Sequence, residues 1–311
     1  MSPSPTVRQL EYFITTVQFE SVTRAAAALL VSQSALSMAL SELEKNLGVQ
    51  LLIRHSRGVS LTPVGEHILG ESRRLVAAIE DLKTSALGFQ NVLAGSLNIG
   101  CFRSISPILL PRVISTFAKN HPDVTINLVE GGFKELVEQL HAGLIEIAVL
   151  YDYESRSAEG SADLIRHRIG SAAPHIELRA DHPLANREGL ALADLAEEPL
   201  ILLTQVRGES YFRSLFEAAG IEPNIRYQTT NLELVRALVA RGLGYTVLIQ
   251  RAPISLSSEG LPIVTQELTD TFDPIAITAI TLGTSPPTAR TRAFIAISRE
   301  LWQGDAMRLD P

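Results

Sequence analysis

The stretch that decides the fold reads SQSALSMAL and occupies residues 32–40. It opens a series of leucines spaced by four, three and four residues, the period of one face of an α-helix, at Leu36, Leu40, Leu43 and Leu47. The opposite face carries short hydroxyls, one thioether and one cation, at Ser34, Ser37, Met38, Ser41 and Lys45. Such a face can lie close to a base-pair edge or a phosphate, so the pattern predicts the second helix of a helix-turn-helix.

Two helices precede this one. Residues 6–17 have an amphipathic pattern that predicts a first helix, and residues 22–29 predict a second, with Ser21 placed as its N-cap. Ser32 is an N-cap for the third helix, and Gly48 is the type of residue that ends a helix. The order therefore indicates a three-helix module whose last helix is available to read DNA.

A two-stranded wing follows the third helix. Residues 51–54 and 59–61 are short extended runs, and residues 55–58 between them have turn chemistry. The complete order is that of a winged helix-turn-helix, whose recognition helix enters the major groove. We expect base-edge contacts from Ser34, Ser37 and Met38, and Ser41 on the same face is a further candidate DNA contact. We expect contacts to the DNA backbone from Ser32, Gln33, Arg54 and Arg57.

The stretch after the wing predicts one long helix. Thr62 and Pro63 have the types of an N-cap and a first helical residue. A seam with heptad spacing then follows, at Val64, Ile68, Ser72, Leu75, Ile79, Leu82, Ala86, Phe89 and Leu93. Because a single helix with such a seam needs a partner, the stretch predicts a dimerisation helix. The alternative is a long helix packed on its own domain.

Length, charge and cysteine content limit the possible functions. A chain of 311 residues is expected to form two or more domains. A net charge of -7 argues against coating nucleic acid by bulk charge, but it allows a small DNA-reading module on an acidic body. The single cysteine, Cys101, excludes an intrachain disulfide. With no signal-peptide pattern and no run of about 18 apolar residues, we expect a soluble cytoplasmic protein.

Motifs for catalysis or metal binding are missing from the sequence. The seven histidines show no HxxxH spacing, and no CxxC pair, phosphate loop or GxSxG nucleophile elbow occurs. We therefore expect a protein that is not an enzyme and that has neither a metal site nor a cofactor.

The rest of the chain, from about residue 94, predicts an α/β domain. Nearly continuous apolar runs alternate with helical patterns, which indicates buried parallel strands. Open α/β sheets bind ligands outside the carboxyl ends of their strands, beside helix N-termini. That rule selects the candidate effector contacts Cys101, Arg103, Ser104, Glu130, Tyr151, Thr204, Thr230, Asn231 and Leu248.

For three of these residues the sequence allows more than one role. Cys101 fits a buried strand position better than a redox sensor, which would need exposure and a low thiol pKa. Arg103 could pair with a carboxylate ligand or point away from the site. Glu130 would repel an anion, so it either pairs with Arg103 or indicates a neutral or cationic ligand.

Several stretches resemble the LysR-type transcriptional regulators. In the N-terminal module they are residues 21–26, 31–37, 43–44, 47–52 and 54–65. In the C-terminal body they include residues 95–100, 143–149, 181–185 and 239–248. One departure is Met38, where the family commonly has an arginine. A second is charge, because residues 1–62 hold five Lys or Arg against four Asp or Glu.

The resemblance implies an architecture and a set of partners. It places a winged helix-turn-helix at residues 1–62, a linker helix that pairs antiparallel across a dimer at 63–93, and a two-lobed, periplasmic-binding-protein-like effector domain at 94–311. Lobe 1 would hold about 94–167 and 270–311, and lobe 2 about 168–269, with crossings near 166–170 and 267–272. The implied partners are double-stranded DNA with an inverted repeat, a small effector that is commonly a carboxylate, further copies in a homotetramer, and RNA polymerase.

Three hypotheses follow from these observations. The favoured one is a transcriptional regulator controlled by a small molecule between the lobes. The second, a solute receptor, is disfavoured by the helix-turn-helix and by the lack of a signal-peptide pattern. The third is an effector-independent or architectural DNA-binding protein with a non-functional cleft. An open, polar cleft would favour the first hypothesis, and a cleft filled by Phe102, Phe133 and Tyr151 would favour the third.

Overall fold

The computed structural model describes residues 4–87, 93–153, 163–204, 209–284 and 286–303. The N-terminal part consists of α1 (Val7–Phe19), α2 (Val22–Ala28), α3 (Gln33–Leu47), β1 (Leu52–His55), β2 (Gly58–Leu61) and α4 (Pro63–Leu87). The predicted caps are confirmed, because Ser21 Oγ accepts from Arg24 N and Ser32 Oγ from Ala35 N, while Gly48 ends α3 in the left-handed region.

The three helices of the module pack around the predicted leucine face. Leu36, Leu40 and Leu43 are fully buried, and Ala25 of α2 allows close approach because its side chain is small. Helices α2 and α3 meet at 109°, within the range of a helix-turn-helix. Within the described ranges, no single helix has the length and apolar composition to span a membrane; only α2 and α3 taken together across their bend meet that test.

The wing is held against the end of α1. Strands β1 and β2 pair antiparallel, with His55 opposite Gly58. Gly58 has a φ of 140°, and a Cβ there would lie 2.2 Å from the Glu20 carbonyl oxygen, so only glycine fits. The next amide, of Val59, donates to the same carbonyl at 3.0 Å. This contact fixes the direction of the wing relative to the helices.

Helix α4 begins at Pro63, where the sequence predicts it, and its described part extends to Leu87. Leu93 is not helical, and residues 88–92, with the seam position Phe89, lie outside the described residues. Along the seam Val64, Leu75 and Leu82 are exposed, whereas Ser72 is buried. Three large apolar side chains of the seam therefore lack a partner within the described part of the chain.

The C-terminal domain contains the remaining elements. In chain order they are β3 (Ala94–Phe102), α5 (Ser106–Asn120), β4 (Asp123–Gly131), α6 (Phe133–His141), β5 (Ile147–Tyr151), β6 (Leu164–Ala172), β7 (His175–Arg179), a 3-10 helix (Leu192–Leu195), β8 (Leu200–Leu203), α7 (Glu209–Ala218), β9 (Ile225–Thr229), α8 (Leu232–Ala240), β10 (Thr246–Leu248), β11 (Ile263–Glu267), β12 (Ile275–Leu282) and α9 (Ala289–Gln303).

These elements form two lobes, and their sheets are mixed rather than parallel. In lobe 1 the strand order is β4-β3-β5-β12-β6, in which β3 is parallel to β4 and β5, and β12 is antiparallel to β5 and β6. In lobe 2, β8 and β9 are parallel, while β7 is antiparallel to both β10 and β11. The prediction of buried parallel strands is therefore correct for β5, β8 and the second half of β3. Strands β4 and β9 are parallel but largely exposed, and the other strands pair antiparallel.

The first crossing between the lobes lies later in the chain than predicted. The predicted crossing near 166–170, and with it the lobe boundary at 167, falls inside β6. Because β6 pairs with β12 along its whole length, it belongs to lobe 1, and the chain crosses at residues 173–174. The return crossing lies between β11 and β12, at residues 268–274, and overlaps the predicted 267–272.

Candidate DNA-binding and effector sites

The outer face of α3 presents the predicted base-reading residues to solvent. Met38 is 70% exposed, and Ser37 is half-buried at the edge of the face. The other predicted residues of this helix are exposed, at Ser32, Gln33, Ser34 and Ser41. Since Leu36 and Leu40 are buried on the opposite side, the helix can approach DNA through short side chains without exposing its apolar face.

Contacts within the module fix the ends of this face. Ser32 Oγ lies 3.1 Å from Ser34 Oγ, and Gln33 Oε1 accepts from Thr23 Oγ1 at 3.2 Å. Glu44 Oε1 accepts from the amides of Leu51 and Leu52, at 2.8 and 3.0 Å, and so ties the wing to α3. The recognition helix and the wing are therefore one connected unit.

The wing exposes both predicted arginines. Arg54 lies in β1, opposite Val59, and Arg57 lies in the turn between the strands. Each is exposed, and the side chain of Val59 is buried beneath the sheet. The wing thus offers two cations beside a recognition helix that has only Lys45 in its last turn.

At the carboxyl edge of the lobe 1 sheet the polar residues pair differently from the prediction. Arg103 lies 3.6 Å from Glu135, not beside Glu130. Glu130 instead accepts a hydrogen bond from the Ser106 hydroxyl. Ser104, between these residues, is largely buried. Arg103 remains mostly exposed at the rim, where it can reach an anion.

The facing edge of lobe 2 carries three further predicted residues. Thr204 follows β8, is half-buried, and donates its amide to the Thr229 carbonyl at 2.8 Å. Thr230 is exposed, and Asn231 is the N-cap of α8, whose side chain accepts from Leu234 N. Gln205, which the same rule would add, lies outside the described residues.

Two predicted effector contacts lie where their side chains do not reach the surface. Cys101 and Leu248 have no exposed area, and both lie inside apolar clusters. Burial raises the pKa of the Cys101 thiol, and the charge of Glu130 raises it further. A buried, protonated thiol is unsuited both to ligand binding and to redox sensing.

Aromatic residues connect the two lobes, and three of them, Tyr153, Tyr211 and Phe212, were not identified from the sequence. From Phe102 the ring contacts run through Tyr151, Tyr153, Tyr211 and Phe212, with successive centroids 6.5, 6.1, 5.9 and 5.5 Å apart. Tyr153 follows β5 of lobe 1 by two residues, and Tyr211 lies on α7 of lobe 2. Burial raises the pKa of Tyr153, so its ring stays neutral. We call these five residues the aromatic ladder; Tyr151, a predicted effector contact, is a buried member of it.

A second concave region lies at the opposite edge of the lobe 1 sheet, against α4. It is a cavity of about 540 Å³ lined by residues of α1, α4, the start of β3, the end of β12 and the segment before α9. Nothing in the local sequence pattern indicates it, because α4 and lobe 1 meet only in the folded chain. Among the described residues, no group of His, Cys, Asp and Glu is arranged to hold a metal ion.

Comparison with known proteins gives the same family for both parts of the chain. The family described as "Bacterial regulatory helix-turn-helix protein, lysR family" matches residues 7–66, and the "LysR substrate binding domain" matches residues 90–303. The uncharacterised HTH-type transcriptional regulator YvbU of Bacillus subtilis is 30% identical over 96% of this chain and 99% of its own. The hydrogen peroxide-inducible genes activator of Pectobacterium carotovorum is 31% identical over 78% of this chain and 79% of its own.

Solved structures agree with the sequence relatives. A LysR family regulator from Pseudomonas aeruginosa, described as a PA01 protein, superposes with a TM-score of 0.65 at 32% identity, covering 97% of this chain and 100% of its own. A full-length OxyR from Pseudomonas aeruginosa has a TM-score of 0.71 at 23% identity, which supports the fold. The winged helix-turn-helix, the two α/β lobes and these matches together show that the chain belongs to the LysR family of transcriptional regulators.

Proposed function

We propose that the chain binds an inverted-repeat site in double-stranded DNA, in the cytoplasm, under the control of a small molecule held between its lobes. The observation that carries the DNA part is the exposed face of α3, with Ser34, Ser37 and Met38 beside the wing arginines. This arrangement supports base reading by the helix and backbone contacts by the wing. The family's domain composition supports the regulatory role, rather than an enzymatic one.

The proposal includes a homodimer formed through α4 and a homotetramer built from two dimers. The exposed Val64, Leu75 and Leu82 lie along the predicted seam, and a second α4 would cover them. A dimer also presents two recognition helices, which offsets the low charge of one module because the two half-sites are bound together. RNA polymerase is a further partner to test in the assembled complex.

For the effector we propose a carboxylate-bearing molecule at the interlobe edge. Arg103 at the rim, the Ser104 and Thr204 hydroxyls and the N-terminus of α8 at Asn231 support this chemistry. Helix N-termini and guanidinium groups both favour anions. A bound effector acts only through its different affinity for two arrangements of the assembly.

The DNA contacts can be tested with the salt dependence of binding. Arg54→Ala should weaken binding to all sequences alike and lower the slope of log K against log salt by about one. Arg112→Ala, which removes an exposed arginine from α5, is the control with the same change in charge. An unchanged slope for the wing variant, or an equal change in the control, would contradict the backbone role of Arg54.

The effector site can be tested with a thermal-shift screen of metabolite carboxylates against the full chain. A true effector raises the unfolding midpoint as its concentration rises, because it binds the folded state. Arg103→Gln and Thr204→Val should each reduce that rise, and DNA binding without ligand should persist. A ligand whose effect survives both substitutions does not bind at this edge.

The aromatic ladder favours a second candidate function. Phe102 and Tyr151 are buried, Phe133 is half-buried, and the ring contacts of the ladder run from lobe 1 to lobe 2. A regulator whose lobes are held in one arrangement would bind DNA without an effector. If no carboxylate or neutral metabolite raises the midpoint while DNA binding is intact, this architectural role becomes the better proposal.

A further inference from the structure

The cavity between α4 and lobe 1 is separate from the interlobe edge. Ser96 and Asn98 at the start of β3, Glu146 before β5 and Thr281 near the end of β12 line it. These positions lie at the edge of the sheet opposite to Arg103 and the other strand ends. Its volume of about 540 Å³ lies within the range of ligand-binding pockets.

The walls of the cavity combine apolar surface with charge. Apolar side chains from both sides line it, at Val76, Ala77, Leu144, Ile145 and Pro287. The charged residues of the lining are three arginines and two glutamates, at Arg73, Arg74, Arg290, Glu80 and Glu146. The lining therefore holds three cations and two anions beside apolar surface, and one of the cations, Arg74, forms an ion pair with Glu71 just outside the lining.

The charges are neutralised to different degrees. Glu146 accepts hydrogen bonds from the Thr288 and Thr291 hydroxyls, at 3.0 and 3.3 Å. Arg73 is half-buried, and its guanidinium donates to the neutral Ala142 carbonyl at 2.7 Å. Burial lowers the pKa of Arg73. An anion beside Arg73 would compensate a cation that burial alone disfavours.

We propose that this cavity is a second ligand site, which takes a small organic anion with a flat apolar body. The anionic group binds Arg73, with Arg74 beside it, and the apolar body packs between Ala77 and Leu144. The site is independent of the interlobe edge, and it uses residues of α4 that follow directly from the DNA-binding module.

Occupation of the site has a structural consequence. The same Arg73 guanidinium holds the carbonyl of Ala142 at the end of α6, and Arg74 donates to the His141 carbonyl at 3.3 Å. An anion competes with these neutral acceptors, because a charged acceptor makes the stronger hydrogen bond to a guanidinium. The ligand therefore replaces direct hydrogen bonds between α4 and the end of α6 with bonds to its own anionic group.

The test uses 2-naphthoate as the probe, with isothermal titration calorimetry on the full-length protein. We expect saturable binding, with the neutral 2-naphthamide weaker by about tenfold. Arg73→Gln should weaken naphthoate binding by about tenfold or more, and Ala77→Phe, which fills the cavity, should abolish it. Arg112→Gln on α5 carries the same change in charge and should leave the affinity unchanged.

Three results would overturn the proposal. The first is the absence of saturable naphthoate binding. The second is equal binding of naphthoate and naphthamide, because the site is defined by its charge. The third is binding that survives Ala77→Phe and is lost in Thr204→Val, which would place the probe between the lobes. Ala77→Phe adds an aromatic ring at a lining position of the helix, so it serves as a second variant if Arg73→Gln does not fold.

Discussion

The chain joins its parts at two junctions that use different contacts. Between the lobes, Tyr153 packs on Tyr211 with ring centroids 5.9 Å apart, and apolar core residues continue on both sides. Between α4 and lobe 1 the backbone of α4 lies directly against the end of α6, and arginine side chains of α4 bond to its carbonyls. A Cβ on Gly70 would lie only 2.2 Å from the His141 carbonyl oxygen, and two arginines of α4 donate to carbonyls at the end of α6.

The difference indicates which junction opens more easily. Separating the lobes exposes aromatic surface to water, at a cost of about 25 cal/mol for each Å² of apolar area. Separating α4 from lobe 1 breaks a few hydrogen bonds, which water can replace at about 1 kcal/mol each. We therefore expect the lobe junction to contribute to stability and the α4 junction to be the one that changes during regulation.

The largest effect is expected from Tyr211→Ala. The variant removes a buried ring from the lobe junction and leaves a cavity, so it should lower the free energy of unfolding by about 3 kcal/mol or more. Urea denaturation followed by circular dichroism measures the change. Tyr211→Phe keeps the ring and removes only the hydroxyl, which donates to the Asp273 carbonyl at 3.3 Å. Its cost should be about 1 kcal/mol. Equal costs for the two variants would show that ring packing does not hold the lobes.

The next prediction concerns the loss of stability at acidic pH, which we attribute to a buried histidine beside the first crossing between the lobes. His175 is the first residue of β7, directly after the crossing at 173–174. Burial lowers its pKa to about 3, with Arg251 and Arg236 adding to the shift. In the unfolded chain its pKa is about 6.5. Stability is thus fully present above pH 6.5 and falls as the pH is lowered towards 3, because only the unfolded state binds the proton.

Between pH 7 and pH 5 the free energy of unfolding should fall by about 2 kcal/mol, measured by urea denaturation at each pH. His175→Gln cannot take up this proton, so its stability should vary less over the same range. Parallel pH profiles for the two proteins would show that another group causes the loss.

The sequence predicted the N-terminal module much better than it predicted the sheet of lobe 1. The module's caps and leucine period are local, and Ser21, Ser32, Gly48 and Pro63 all lie at the helix ends where the pattern placed them. Strand β6 was missed because residues 164–172, LIRHRIGSA, mix charged and apolar residues without a clear period. Its pairing with β12 comes from the distant end of the chain.

The candidate sites show the same limit. The strand-end rule selected residues that lie at the correct edge, such as Arg103 and Thr204, but it could not tell exposed positions from buried ones, such as Cys101 and Leu248. Tyr211 joins the ladder only because α7 folds against lobe 1. The α4 cavity likewise depends on how two distant segments approach each other, which no local periodicity describes.

At the α4 junction, Gly70→Ala should separate α4 from lobe 1 without weakening the helix. Alanine favours a helix over glycine by about 1 kcal/mol, but its methyl group cannot fit beside the His141 carbonyl. Spin labels at Ser60→Cys and Ser115→Cys, diluted with unlabelled protein, would report the distance within one chain, because Cys101 is buried. The distance distribution should broaden or shift. An unchanged distribution would show that the close contact is not what holds α4.

The smallest effect is expected from Arg73→Gln in the same distance measurement. The variant removes one guanidinium hydrogen bond, to the Ala142 carbonyl, so it should cost the junction about 1 kcal/mol and broaden the distribution less than Gly70→Ala does. Since both changes act on one contact, the double variant should resemble Gly70→Ala alone, as coupled neighbours are not additive. Fully additive broadening would mean that Arg73 and Gly70 act on different contacts, and the α4 junction would then not be a single unit that opens as one.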